Sequence, residues 1–164
     1  MKYYLAYGSN LHVAQMQRRC PGAIPVGTAW IEGYRLAFRG SKTGAYLTII
    51  PDRRTKVPVG VWLIDRDHEL ALDIYEGFPT FYRKKTLPIT ITRADGTQEA
   101  AEGLVYLMPP SAKKGIPSEK YVSTCAVGYR CFGLDAQYLL RAVVASRPRR
   151  AKKKPITQSK WEAT

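Results

Sequence analysis

The stretch from Gly27 to Ile64 constrains the chain most. It holds three runs, GTAWIEGYRLAF, GAYLTIIP and VPVGVWLI, dense in β-branched and aromatic residues. Gly, Pro and charged residues separate them. Such side chains fit the pleated, half-buried surface of a sheet, and the breaks between them carry turn chemistry. The stretch predicts successive short strands, with a charged turn over DRRTK. A helical period is absent throughout it.

Both flanks add strands and bring in helices. MKYYLAY (1–7) predicts a buried strand. NLHVAQMQRRC (10–20) predicts a short helix, with Asn10 as its N-cap and Arg18 and Arg19 at the end that favours cations. DRDHELALDIYEG (65–77) predicts a second helix, capped by Asp65 and ended by Gly77. Residues 81–108 predict a hairpin turning at Asp95-Gly96. PPSAKKGIPSEKY leads into a helix starting near Ser118, and GLDAQYLLRAVVAS (133–146) predicts a last one with Asp135 as a cap. Residues 147–164 carry no periodic pattern and predict an extended tail. No internal repeat is present, so the reading is one domain over 1–146 followed by a basic tail.

Composition removes several classes. At 164 residues and 45% hydrophobic, the chain is long and apolar enough for a real core. No run approaches the roughly 20 apolar residues of a membrane span, and YGSN breaks the first apolar run too early for a good signal peptide. Cys20, Cys125 and Cys131 are an odd set without a C-x-x-C pair. That argues against a disulfide framework or a cysteine-built zinc site, and for reduced thiols in the cytoplasm. Cys125 and Cys131 are expected to pack a helix. The two histidines offer no metal cluster. Net charge is +13. The tail holds seven Lys/Arg against one Glu, a net +6, leaving +7 for residues 1–146.

Three separated pieces, YLAYGSNL (4–11), LDIYEGFPTFYRK (72–84) and PSEKYVSTCAVGYRCFGLDAQYL (117–139), occur in an order that resembles the gamma-glutamylcyclotransferase-like superfamily. The resemblance spans residues 1 to about 146. It implies an α+β fold, a small mixed β-barrel flanked by a few helices, with the active cleft in a mouth of the barrel. It implies conversion of an L-gamma-glutamyl compound to 5-oxoproline and a free amine or amino acid, with no metal and no organic cofactor. Carried over by position, Tyr7, Gly8, Ser9 and Asn10 form a substrate-binding loop. Glu76 is the catalytic acid/base, and Tyr82, Tyr106 and Tyr121 line the pocket. The partner implied is a small gamma-glutamyl molecule. Specificity is expected from the cleft rim, over 40–46 and 109–117.

The chemistry suits these residue types. The substrate's own α-amine attacks its γ-carbonyl, so no Ser or Cys nucleophile is needed. Required instead are a folded pose, a base and donors for the developing oxyanion. A free glutamate at about 4.3 is a weak base near neutrality, and burial or a helix C-terminal end raises it. Gly8 permits a tight turn, and N–H groups at the helix start that follows are free to hold a carboxylate or polarise a carbonyl.

Other readings compete. YGSN lacks the second glycine of a nucleophile elbow and the spacing of a phosphate loop, and neither His12 nor His68 sits in a triad context. His68 is expected on a helix surface and His12 in a first helical turn. A silent binding protein of the same fold is a further class. RPRRAKKK could contact nucleic-acid phosphates without reading bases; the plain alternative is a solubilising tail. Arg18, Arg19, Arg35 and Arg39 could attract an anionic substrate or be solvated charges.

Overall fold

In the computed structural model, which describes residues 1–41 and 44–149, the strands close into a barrel. Chain order is β1 (Lys2–Ala6), a 3₁₀ turn (Ser9–Leu11), α1 (Val13–Arg19), β2 (Ile24–Ser41) and β3 (Gly44–Ile64). Next come α2 (Arg66–Glu76), β4 (Arg83–Thr92), β5 (Gln98–Leu107), β6 (Lys113–Lys114), α3 (Glu119–Phe132) and α4 (Gln137–Ser146). Strand order is β3-β1-β5-β4-β2, and β2 pairs with β3 to complete a five-stranded mixed barrel with four helices outside it. β6 extends β2 beyond the barrel. The expected α+β barrel is therefore the observed fold.

β1 is bonded on both sides. It runs antiparallel to β3 (Leu5 opposite Val61) and parallel to β5 (Tyr4 opposite Leu104). That explains why its end reads as a continuous apolar run: Tyr4, Leu5 and Ala6 are all buried. The barrel is filled by Leu5, Ile31, Leu47, Ile49, Val57, Val59, Val61, Ile91 and Val105.

The three expected runs between 27 and 64 form two long strands instead. GAYLTIIP and VPVGVWLI both belong to β3. The charged residues between them make a bulge rather than a turn: Tyr34 pairs with Pro51 and Glu32 with Lys56, so residues 52–55 stand opposite Gly33 alone. Gly33 has φ +76°, which a β-branched residue would resist. Asp52 closes the bulge by accepting from Arg54 N at 3.0 Å.

Local signals placed the remaining elements well. Asp65 accepts from His68 N at 2.8 Å, and His68 Nδ1 accepts from Asp65 N at 3.1 Å, a reciprocal cap. His68 is thus a part-buried capping residue, its Nε2 also 2.7 Å from Pro21 O, rather than a free surface group. The β4–β5 hairpin turns at Asp95-Gly96, where Asp95 accepts from Thr97 N at 2.9 Å. Ser118 caps α3 by accepting from Tyr121 N at 3.1 Å. α4 starts at Gln137, and Asp135 accepts the Gln137 N–H at 2.9 Å. Cys125 is buried in α3 as expected, but Cys131 is exposed. No helix among the described residues is long and apolar enough to cross a membrane. The tail lies outside the described residues from Arg150 onward.

Candidate active site

One cavity of about 300 Å³ opens between the end of β1, the end of α2 and the start of α3. All eight residues singled out from the sequence line it: Tyr7, Gly8, Ser9, Asn10, Glu76, Tyr82, Tyr106 and Tyr121. Tyr4, Tyr46, Tyr75 and Phe81 join them. Of the expected specificity segments, Tyr46 reaches the cavity. No residue of 109–117 does; Lys113–Ile116 border a separate surface groove with Gly40 and Ala45. Lys42 and Thr43 lie outside the described residues.

The loop after β1 departs from expectation in one respect. Asn10 does not cap the next helix. α1 begins at Val13 and is capped by His12, whose Nδ1 accepts from Gln15 N at 3.2 Å. The chain first makes a 3₁₀ turn, with Leu11 N bonded to Gly8 O at 3.0 Å. That turn frees the Asn10 side chain to point inward. Its Nδ2 donates to Tyr4 Oη at 2.9 Å and to Glu76 Oε1 at 3.3 Å, and its Oδ1 accepts from Arg19 Nη1. Buried Asn10 thereby satisfies its amide inside the protein. Trp62 fastens the turn from the barrel side, donating Nε1–H to Asn10 O at 3.0 Å.

Gly8 leaves room beside the tyrosine wall: a Cβ there would press on Tyr121 Oη at 3.1 Å. The N–H groups of Gly8, Ser9 and Asn10 carry no hydrogen bond among the described residues. Ser9 Oγ lies 3.2 Å from Tyr75 Oη, and neither histidine bonds it. A Ser–His hydrolase pair is therefore not present among the described residues.

Glu76 is the last residue of α2. Gly77 follows in the left-handed conformation, φ +64°, and Phe78 N returns to Asp73 O at 2.9 Å. This stop turns the chain away and leaves the Glu76 side chain facing the cavity. Burial pushes its carboxyl up to about 7, and the Arg19 guanidinium pulls in the opposite direction. The only hydrogen bond to this carboxylate among the described residues is the one from Asn10.

The tyrosines wall the cavity with their rings while their hydroxyls hold the frame. Tyr82 Oη donates to Leu47 O at 2.7 Å, and Leu47 N donates to Tyr121 Oη at 3.2 Å. Tyr7 Oη donates to Tyr106 O at 2.5 Å. Tyr106 Oη donates to Asp73 Oδ1 at 2.6 Å, so its hydroxyl is turned toward α2. Edge-to-face contacts link Phe81 to Tyr82, Phe81 to Tyr46, and Tyr46 to Tyr121. Burial raises the hydroxyls of Tyr4, Tyr7, Tyr82 and Tyr121, keeping them neutral.

Sequence reasoning missed Tyr4, Tyr75 and Phe81, placed Tyr46 only within the expected 40–46 rim, and weighed Arg19 only as a charge that could attract an anionic substrate. Tyr75 and Phe81 flank residues already singled out, and that adjacency was a usable signal. Tyr4 and Tyr46 reach the cavity only through sheet pairing. Among the described residues, no group of three or more His, Cys, Asp or Glu side chains converges to hold a metal ion.

Comparison with known proteins agrees with this geometry. The family model described as gamma-glutamyl cyclotransferase, AIG2-like, matches residues 4–123. A solved structure named gamma-glutamyl cyclotransferase superposes with a TM-score of 0.73 at 24% identity, covering 93% of this chain and 92% of that one. An uncharacterized protein from Homo sapiens gives a TM-score of 0.72 at 24% identity, with coverage of 93% and 92%. YkqA from Bacillus subtilis gives 0.71 at 20% identity, covering 88% of this chain and 54% of that one. No curated protein matches the sequence. At these identities the superpositions establish the fold, and the family model, which takes in both the 7–10 loop and Glu76, establishes the kinship. This chain belongs to the gamma-glutamyl cyclotransferase, AIG2-like family.

Proposed function

We propose that the chain is a gamma-glutamyl cyclotransferase that works without a cofactor and uses Glu76 as general acid and base. One observation carries the reading: a single carboxylate, raised to about 7 by burial, faces a tyrosine-walled cavity beside three backbone N–H groups with no partner among the described residues. In the proposed reaction Glu76 takes a proton from the substrate's α-ammonium. The freed amine attacks the γ-carbonyl, forming the ring C–N bond. The N–H groups of Gly8, Ser9 and Asn10 stabilise the oxyanion. Protonated Glu76 then gives its proton to the departing nitrogen as the old C–N bond breaks, and the regenerated carboxylate takes the second proton from the ring nitrogen and passes it to the released amine, leaving a neutral lactam. A carboxyl near 7 is matched to both halves of that cycle at neutral pH, a role typically worth about 10²–10⁴-fold. The rings of Tyr7, Tyr82, Tyr106 and Tyr121 would hold the glutamyl stem. A cavity of about 300 Å³ suits such a small head group.

The free state of Cys20, Cys125 and Cys131 fits a reducing, cytoplasmic setting. The test is direct. The protein is incubated with a panel of gamma-glutamyl amino acids and gamma-glutamyl amines, and 5-oxoproline is followed by mass spectrometry. At least one member should yield product, and Glu76→Gln should abolish it while keeping the fold. Silence across the whole panel would instead favour a binding protein of the same fold.

A further inference from the structure

Glu76 is held by one side chain, and that side chain is held in turn. Asn10 Nδ2 serves two acceptors, Tyr4 Oη and Glu76 Oε1. An amide is directional: turned over, its oxygen would face the carboxylate, acceptor against acceptor. Arg19 prevents that. A guanidinium carries donors only, so it can meet only the oxygen end of the amide, and its Nη1 does so. Arg19 is itself fixed. Its Cζ lies 3.3 Å from the centre of the Tyr75 ring, and the Tyr75 hydroxyl is 3.2 Å from Ser9 Oγ. The guanidinium therefore packs between the residue preceding Glu76 and the amide that holds Glu76.

From this geometry we infer that Arg19 is a positioning residue for Glu76: it locks the Asn10 amide with its NH₂ end toward the carboxylate, and its charge steadies the ionised form across that amide. The inference rests on reading Glu76 as the base. The other titratable groups facing Glu76 are Tyr4 from β1, Tyr7 just after it, Tyr82 before β4 and Tyr121 from α3, all kept neutral by burial. Arg19, from α1, is the charged group acting on it among the described residues. Lysine is only a partial replacement: its ammonium can meet the Asn10 oxygen but lacks the plane that lies over the Tyr75 ring.

Three variants separate charge from geometry: Arg19→Met removes both, Arg19→Gln keeps an amide donor without charge, and Arg19→Lys keeps charge without the plane. Two readouts are taken. One is the titration of the Glu76 carboxyl carbon by NMR, which needs no substrate. The other is kcat and KM across pH with the gamma-glutamyl compound the wild type turns over best. Arg19→Met should move the titration to higher pH and lower kcat on the order of 100-fold, with KM far less affected. Arg19→Gln should keep the raised titration yet recover part of kcat. Arg19→Lys should titrate near wild type and still lose kcat. If all three variants merely melt earlier, with the titration in place and kcat per folded molecule intact, the role is structural and the inference fails. A wild type that turns over no gamma-glutamyl compound overturns the proposed activity; a titration that moves in Arg19→Met would then still support the action of the Arg19 charge on Glu76, and one that stays put would sink both.

Discussion

Replacing Glu76 by Gln should make the protein more stable as it makes it inactive, and the gain should depend on pH. The carboxyl rises from an ordinary 4.5 to about 7 in the fold. At about 1.36 kcal/mol per pH unit, ionising Glu76 in the native state costs at most about 3 kcal/mol. The native state holds this proton more tightly than the unfolded chain does. Wild-type stability from this group is therefore intact below about pH 4.5, falls as pH rises toward 7, and is fully lost above that. Glutamine never ionises, and its carbonyl can still accept from Asn10. The difference between variant and wild type should be near zero at pH 4.5 and grow to about 3 kcal/mol at pH 8, equivalent to about 6–12 °C for a domain of this size. Urea unfolding of both proteins at several pH values measures it, and every other titrating group cancels in the difference. A difference that stays flat with pH, or shrinks as pH rises, would refute the claim that the carboxylate is strained by burial.

Two further outcomes follow from packing and one from charge. A Cβ at Gly128 would lie 2.4 Å from Leu11 Cβ and 2.7 Å from His12 N, so Gly128→Ala should destabilise by about 1–3 kcal/mol in thermal melts despite its better helix propensity, and turnover should fall as the 3₁₀ turn is pushed aside. The Tyr129 hydroxyl is buried without a hydrogen-bond partner among the described residues, so Tyr129→Phe should hold or raise stability by about 1 kcal/mol; a clear loss would show that the hydroxyl is bonded. Removing residues 147–164 should leave 5-oxoproline formation unchanged while shortening retention on a polyanion column in low salt, since the tail carries a net +6; loss of turnover would give the tail a part in the chemistry.

Much of the site was legible because its chemistry is written in short contiguous pieces. YGSN and Glu76 come with their own punctuation: Asp65 opens α2, Gly77 closes it, and the carboxylate is the last helical residue. Ser118 fixes where α3 starts and hence where Tyr121 sits. Arg19 was opaque because its partners are set by tertiary reach: it spans from the end of α1 to Asn10 and Tyr75, and at that helix end it reads as an ordinary dipole-favoured cation. Asn10 misled for a related reason. Asparagine is a good cap through its side-chain oxygen, and here Arg19 takes that oxygen while Tyr4 and Glu76 take the NH₂ end. The long β2–β3 pair was hidden by the charges of residues 52–55, which a bulge opposite Gly33 exposes to solvent without ending the strand.

The pairing of β1 with β5 carries a consequence for how the molecule comes into being. Tyr3 pairs with Gly103, and Leu47 N is met by Tyr121, so the cavity draws on parts of the chain about a hundred residues apart. The β2–β3 pair closes locally and can zip from its tip, whereas the parallel β1–β5 pair must first close a long loop. During synthesis, then, the 7–10 loop emerges first and must wait for β5 and α3 before it has walls. Recovery of turnover in a refolding experiment would report the last closure of the barrel, after most of the helical signal has returned.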